Sequence, residues 1–203
     1  MSFKYYDLLS NLVPGLLISG VVYICFGEKI PHISEIILLA MSFIMGYLNN
    51  TISSWLEGFY RFLWGGNPIN AFFNGTGIFK VRFFKGNAVK KILSRTVTTK
   101  NPSDIELFTE AMRIANDNST TRLEDFNSMY AFSRAVLTAF LISGVMVIYT
   151  YYQSVFAYLG FIILFLISLV RCKQRNGYYV REVLNIVLKL HPEVSGKLDN
   201  PVS

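Results

Sequence analysis

Four stretches of the chain are apolar for long enough to matter. The first runs from Leu8 to Phe26, broken only by Ser10, Asn11, Ser19 and a Pro14-Gly15 pair. The second starts near Ile33, is strongly apolar from Ile36 to Leu48, and continues as a more polar helical pattern toward Trp64. The third, Ala135 to Tyr152, and the fourth, Val155 to Val170, hold no charged residue. A helix rises 1.5 Å per residue, so about 20 residues cross the ~30 Å hydrocarbon layer. The first and third stretches meet that length. The second meets it with Asn49 to Ser54 as its inner end. The fourth is slightly short, but Arg171 and Lys173 can snorkel to the headgroups. Helices buried in a soluble core are usually apolar on one face only. The third and fourth stretches are apolar all round, which predicts membrane spans.

Between the second and third stretches the pattern changes. Gly65-Gly66-Asn67-Pro68 reads as a break. Phe79-Lys80-Val81-Arg82-Phe83 alternates with a period of two, and Asn74-Gly75 before it supplies turn residues, so a short hairpin is expected. Asn87 to Arg95 reads as one or two helical turns. Ser103-Asp104-Ile105-Glu106 is a capping box. Ile105, Phe108, Met112 and Ala115 follow at helical spacing and predict a helix ending near Asn118. A further helix begins near Thr121 and runs into the third stretch. Helical periodicity also continues past the fourth stretch to Leu190. Gly177 weakens it by about 1 kcal/mol relative to Ala, and His191-Pro192 stops it.

The expectation is an all-α membrane protein: four transmembrane helices extending into a small, mostly helical cytoplasmic subdomain. Residues 1–64 form the first transmembrane hairpin and 65–130 the basic subdomain. Residues 131–172 form the second hairpin and 173–203 a helical tail.

Charge sets the orientation. The chain has 203 residues, 52% hydrophobic and 16% charged, with a net charge of +6. Soluble domains carry about 25% charged residues. Neither short loop, Gly27 to Ile33 or Gln153-Ser154, has a basic excess. The Gly65 to Arg134 segment holds ten lysines or arginines. The tail adds Arg171, Lys173, Arg175, Arg181, Lys189 and Lys197. The positive-inside rule then places both termini and the central segment in the cytoplasm, and the spans in a cell inner membrane. Cys25 and Cys172 fall on opposite sides of the bilayer in that layout, which excludes a bridge between them.

Several residue sets carry functional expectations. Asp7, Asn11, Gly15 and Ser19 recur every four residues on the first span. They read as a close helix-packing stripe or as a polar lumen. Gly46, Asn50, Ser54, Glu57 and Arg61 share one face of the second helix. Glu57 and Arg61 read as an i, i+4 ion pair at the inner interface, or as the mouth of a pore. Ala131, Ala135, Ala139 and Ser143 make a small-residue ridge for packing within or between subunits, with Arg134 beside it as an interface anchor. Arg171, Lys173 and Arg175, with Tyr178 and Tyr179, read as a topology anchor in contact with anionic lipid, or as a contact for a protein or nucleic-acid partner. Lys80, Arg82 and Lys85, interleaved with Phe79 and Phe83, suit a lipid or partner-binding edge. The same pattern would permit base stacking, but nucleic acid ranks behind lipid as a partner.

Catalysis is not expected. The sequence has no G-x-G-x-x-G, P-loop or H-E-x-x-H pattern. It has two histidines, His32 and His191, far from any cysteine pair, so no cofactor or metal is expected.

Three blocks carry a resemblance. They are Lys4 to Leu9 with Val13-Pro14-Gly15, Glu124 to Asn127 with Phe132-Ser133-Arg134, and Arg171 to Arg175 with Tyr178-Tyr179 and Arg181 to Leu184. They resemble short bacterial inner-membrane proteins of mobile or anti-phage loci. Size and span count are similar to the membrane accessory proteins encoded beside type VI-B CRISPR nucleases. This implies a defence-associated membrane effector or accessory. No Arg-x(4–6)-His nuclease pair is present, since Arg181 and His191 stand too far apart. The functional expectation is a self-associating, non-enzymatic inner-membrane protein that responds to a cytoplasmic partner and acts on permeability. A passive scaffold is the alternative, and a small transporter ranks third.

Overall fold

A computed structural model describes residues 5–27, 34–74, 86–99, 101–118 and 121–192. The chain is an all-α membrane protein, with no strand among the described residues. Among the described residues eight helices follow in order: α1 (Tyr5–Phe26), α2 (Glu35–Trp55), α3 (Glu57–Leu63), α4 (Pro68–Asn74), α5 (Gly86–Thr96), α6 (Asp104–Asp117), α7 (Thr121–Thr150) and α8 (Val155–Leu190). Helices α1, α2, α7 and α8 are long and apolar enough to cross a membrane. The expected hairpin, with Lys80, Arg82 and Lys85, lies outside the described residues. The chain divides into two compact units, Met1–Tyr60 with Ser128–Gln174, and Arg61–Asn127 with Arg175–Ser203.

The first unit contains the apolar stretches, and its packing depends on small residues. Lipid tails are as apolar as leucine, so helices associate in the bilayer through close van der Waals contact. Helices α1 and α2 do this at Gly15 and Gly46. A Cβ on Gly15 would fall 1.7 Å from the Ser42 carbonyl oxygen, and one on Gly46 would fall 1.7 Å from that of Asn11. Ser42 Oγ lies 3.0 Å from Ser19 Oγ and 2.8 Å from the Leu38 carbonyl. The Asn11/Gly15/Ser19 stripe is therefore a helix seam. On α7, Ala135, Ala139 and Ser143 are buried, and Gly144 lies under the Phe161 ring of α8. Large side chains point outward: Ile36, Tyr149 and Phe156 are each about 80% exposed or more. In water such a surface would aggregate; in lipid it is solvated.

The second helix is shorter than the sequence predicts. It ends at Trp55 rather than running to Trp64, and α3 starts after Leu56. Ser53 and Ser54 donate their hydroxyls back to the Asn50 and Thr51 carbonyls, each at 2.7 Å. Such back-bonding competes with the backbone ladder and bends helices. The buried seam of α2 is Ser42, Gly46, Asn49 and Ser53, with Asn50 half-buried and Ser54 exposed.

The second unit is built like a small soluble domain. Ile69, Phe72 and Phe73 of α4 meet Val89, Ile92 and Leu93 of α5 in one core. Leu107, Phe108 and Ala111 of α6 and Val180, Val183, Leu184 and Val187 of α8 complete it. The α4 helix was not expected. It follows the Gly65-Gly66 turn, where both glycines have positive φ, and Pro68 begins it, where a missing N–H costs nothing. The α5 helix spans three turns because four core residues line one of its faces. The capping box forms as predicted: Ser103 N–H donates to Glu106 Oε2 at 2.7 Å, and Glu106 N–H donates to Ser103 Oγ at 3.2 Å. These bonds hold the Glu106 carboxyl below its ordinary pKa. Lys90 Nζ reaches Asp104 at 2.7 Å, and Asn74 donates to the same carboxylate at 2.6 Å. Together they tie α4, α5 and α6. Gly177 stays inside α8 beside the Phe72 ring.

Candidate functional site

Charge inside an apolar helix is expensive and usually marks a site. In the first unit this occurs on α7. Tyr130, Arg134 and Thr138 recur every four residues and so share one face. The opposite wall comes from α3, whose first residue is Glu57, and from Tyr60 one turn later. Arg134 Nη1 lies 2.7 Å from Glu57 Oε2, with the side chains 13% and 24% exposed. Tyr130 Oη donates to Glu57 Oε1 at 2.9 Å. The Arg134 guanidinium also lies over the Tyr130 ring, 5.4 Å from its centroid. Thr138 Oγ1 donates to the Arg134 carbonyl at 3.0 Å. The Tyr60 hydroxyl, 2.7 Å from that oxygen, is then the donor to it. From α2, Asn49 Nδ2 donates to the Ala135 carbonyl at 2.8 Å.

One carboxylate thus receives a guanidinium and a phenol, and one threonine links the arginine backbone to a second phenol. Such a network fixes α3 and α2 against α7. Among the described residues, Asn49 Oδ1 and Arg134 Nε of the cluster are buried without a hydrogen-bond partner. No group of three His, Cys, Asp or Glu side chains suited to a metal occurs among the described residues. Cys25 and Cys172 are free, the latter fully buried.

The structure redistributes the residues singled out in the sequence. Asp7 belongs to α1, and its side chain lies outside the described set. Asn11 sits at the α1–α2 contact, its backbone against Gly46. Asn50 Oδ1 is 3.4 Å from Ser53 Oγ, and Ser54 faces outward. The stripe therefore runs one residue earlier than expected, through Asn49 and Ser53, because helix seams follow mixed i+3 and i+4 steps. Glu57 finds its short-range cation in Arg134, 77 positions away, rather than only along its own helix toward Arg61. Arg134, read from the sequence as an interface anchor, is a mostly buried partner in this cluster. Arg171 is exposed and 3.5 Å from Gln174, while Lys173 and Arg175 are half-buried. Tyr130, Thr138, Tyr60 and Asn49 were missed. The Tyr-x3-Arg-x3-Thr spacing was the available signal.

No protein-family model matches the chain, and no curated protein or solved structure shows significant similarity to it. What the fold defines is a multi-pass membrane protein with, among the described residues, four helices apolar and long enough to cross a membrane, and a separate helical core.

Proposed function

We propose that this is a non-enzymatic membrane accessory protein of the bacterial inner membrane. Its helical unit, together with both termini, lies in the cytoplasm and receives a soluble partner. The observation that supports this reading best is the pairing, in one chain, of a bundle apolar on its outside with a unit that has its own soluble-type core. That is the construction of an anchored module. Self-association through the outward faces of the spans belongs to the same proposal. The likeness to membrane accessory proteins of CRISPR loci is what suggests a defence setting.

A second reading is that the bundle alters permeability. The Glu57–Arg134–Tyr130 cluster favours it, since an ion pair of this kind is costly to keep in a passive anchor. Against it, Asn11, Ser19, Ser42 and Asn49 are consumed in helix seams.

One experiment separates them. The full chain is expressed in bacteria with a photo-crosslinking residue at Ile105, which is 60% exposed on α6, while a dye reports membrane potential. The anchor reading expects one defined soluble protein captured and an unchanged potential. Depolarisation that vanishes in Glu57→Ala would establish the permeability reading instead. Neither capture nor depolarisation would remove both.

A further inference from the structure

Charge in the second unit is sorted along the chain. Between Glu57 and Asp104 there is no acidic residue, against eight lysines or arginines. From Asp104 to Asn127 there are six acidic residues and two arginines. A solvated surface without a charged partner mixes the signs, because interspersed charges lower self-repulsion. An acid-free run of this length points to a negative partner.

Among the described parts of that run, helix α5 carries most of the cations: Lys90, Lys91 and Arg95. Ala88, Val89, Ile92 and Leu93 are buried in the core, which fixes the rotation of the helix. The opposite face carries Asn87, Lys91, Ser94 and Arg95, all exposed. Lys90 is already neutralised by Asp104. Lys91 and Arg95 stand four residues apart, on one face. Among the described residues neither has an ion-pair or side-chain hydrogen-bond partner, and the Ser94 hydroxyl is turned back to the Lys91 carbonyl at 3.1 Å. By contrast, Arg113 and Arg122 in the acidic stretch are both paired, to Glu110 and Glu182.

We infer that the Lys91/Arg95 face of α5 is a docking surface for the headgroups of anionic phospholipids. Two observations favour lipid over other polyanions. The acid-free run begins directly after a membrane-crossing helix, α2, so a bilayer surface is always within tethered reach and the local concentration of headgroups is high. The α5 segment also has no aromatic residue, whereas single-stranded nucleic acid is gripped by stacking on aromatic rings. Each cation close to an anionic leaflet is worth about 1 kcal/mol, or about fivefold in partitioning. The inference rests on the anchored-module reading and assigns the surface that the soluble partner does not use.

The test uses the full chain in lipid nanodiscs, either purely zwitterionic or containing phosphatidylglycerol. Ser94→Cys, in a Cys25→Ser background, carries an environment-sensitive fluorophore, and a nitroxide lipid headgroup is the quencher. The same background without Ser94→Cys reports any labelling of the buried Cys172. Quenching is expected in the anionic discs, weakening toward 1 M salt where screening acts over about 3 Å. Lys91→Gln with Arg95→Gln should cut the docked-to-free ratio about 25-fold, with the thermal unfolding midpoint unchanged. Equal quenching in neutral discs, or none in anionic discs, would overturn the inference. So would a response to a short single-stranded RNA, sensitive to the same double substitution, in place of the response to lipid. None of these results touches capture at Ile105, so failure here and failure of the anchored-module reading are told apart.

Discussion

The two units of this chain solve the same problem with opposite distributions of residues. In the second unit the large apolar side chains meet inside, with Phe72, Phe73, Leu93, Leu107 and Leu184 almost fully buried. Charged groups such as Lys91 and Arg95 stand outside. In the first unit Ile36, Leu39, Phe156 and Ile167 stand outside. Its interior is lined by Gly15, Ser42, Gly46, Asn49 and Thr138. Water rewards burial of leucine, at about 25 cal/mol per Å². Lipid does not, and leaves close backbone approach and polar contacts to choose the interior. One chain therefore folds under two solvents.

The sharpest way to break this comparison is at the polar cluster. Glu57→Ala leaves Arg134 buried without its carboxylate and is expected to cost about 3–5 kcal/mol, read by unfolding in mixed micelles with SDS. Tyr130→Phe, which keeps the ion pair, should cost about 1 kcal/mol. Equal effects of the two would mean that the ion pair contributes nothing.

Truncation of matched apolar residues comes next. Leu93→Ala, in the core of the second unit, should lose about 2–5 kcal/mol. Ile163→Ala, 54% exposed on a membrane-crossing helix, should change stability within about 0.5 kcal/mol. A large loss at Ile163 would mean that this face is covered by protein, as self-association requires. Hydrogen exchange in detergent can locate each loss in its unit.

Glycine substitutions test the bundle alone. Gly46→Ala puts a methyl where the Asn11 carbonyl sits and should cost about 1–3 kcal/mol through separation of α1 from α2. Gly20→Ala, at a position with open space around it, should be neutral or slightly stabilising. Crosslinking yield between cysteines on α1 and α2 would report the separation.

The smallest effect is titration of the capping box. The folded Glu106 carboxyl is held below its ordinary value by the Ser103 N–H and hydroxyl. It therefore binds fewer protons folded than unfolded across that window. Its stabilisation is complete above the ordinary glutamate pKa of 4.5 and is lost as pH falls through the depressed folded value. Ser103→Ala, which removes the hydroxyl but keeps the N–H, should reduce this acid-side slope without abolishing it and lower the stability of the second unit by about 1 kcal/mol, as followed by helical circular dichroism against pH.

The acid-side slope is legible in advance because the capping box is local: four adjacent residues specify it. The same holds for the α6 end near Asn118, the fusion of α7 with the third apolar stretch, and the stop of α8 at His191-Pro192. The cluster at Arg134 was only half legible. An arginine inside an apolar helix announces a partner, but i, i+4 spacing offered Arg61 to Glu57, and no local rule points across 77 positions. The α2 break was hidden for a different reason. Serines at positions 53 and 54 are compatible with a continuous helix, and whether their hydroxyls bond back to carbonyls depends on what surrounds them.

Periodicity, length and charge placement are one-dimensional quantities, and they sufficed to determine that this chain is helical, that four of its helices can cross a bilayer, and where most of them begin and end. Which side of each helix faces its neighbour, and which buried charge meets which, was decided only in three dimensions. A lipid-embedded helix that is apolar all round has no hydrophobic face to declare its orientation, so backbone contacts at Gly15 and Gly46 and the Glu57–Arg134 pair settle it.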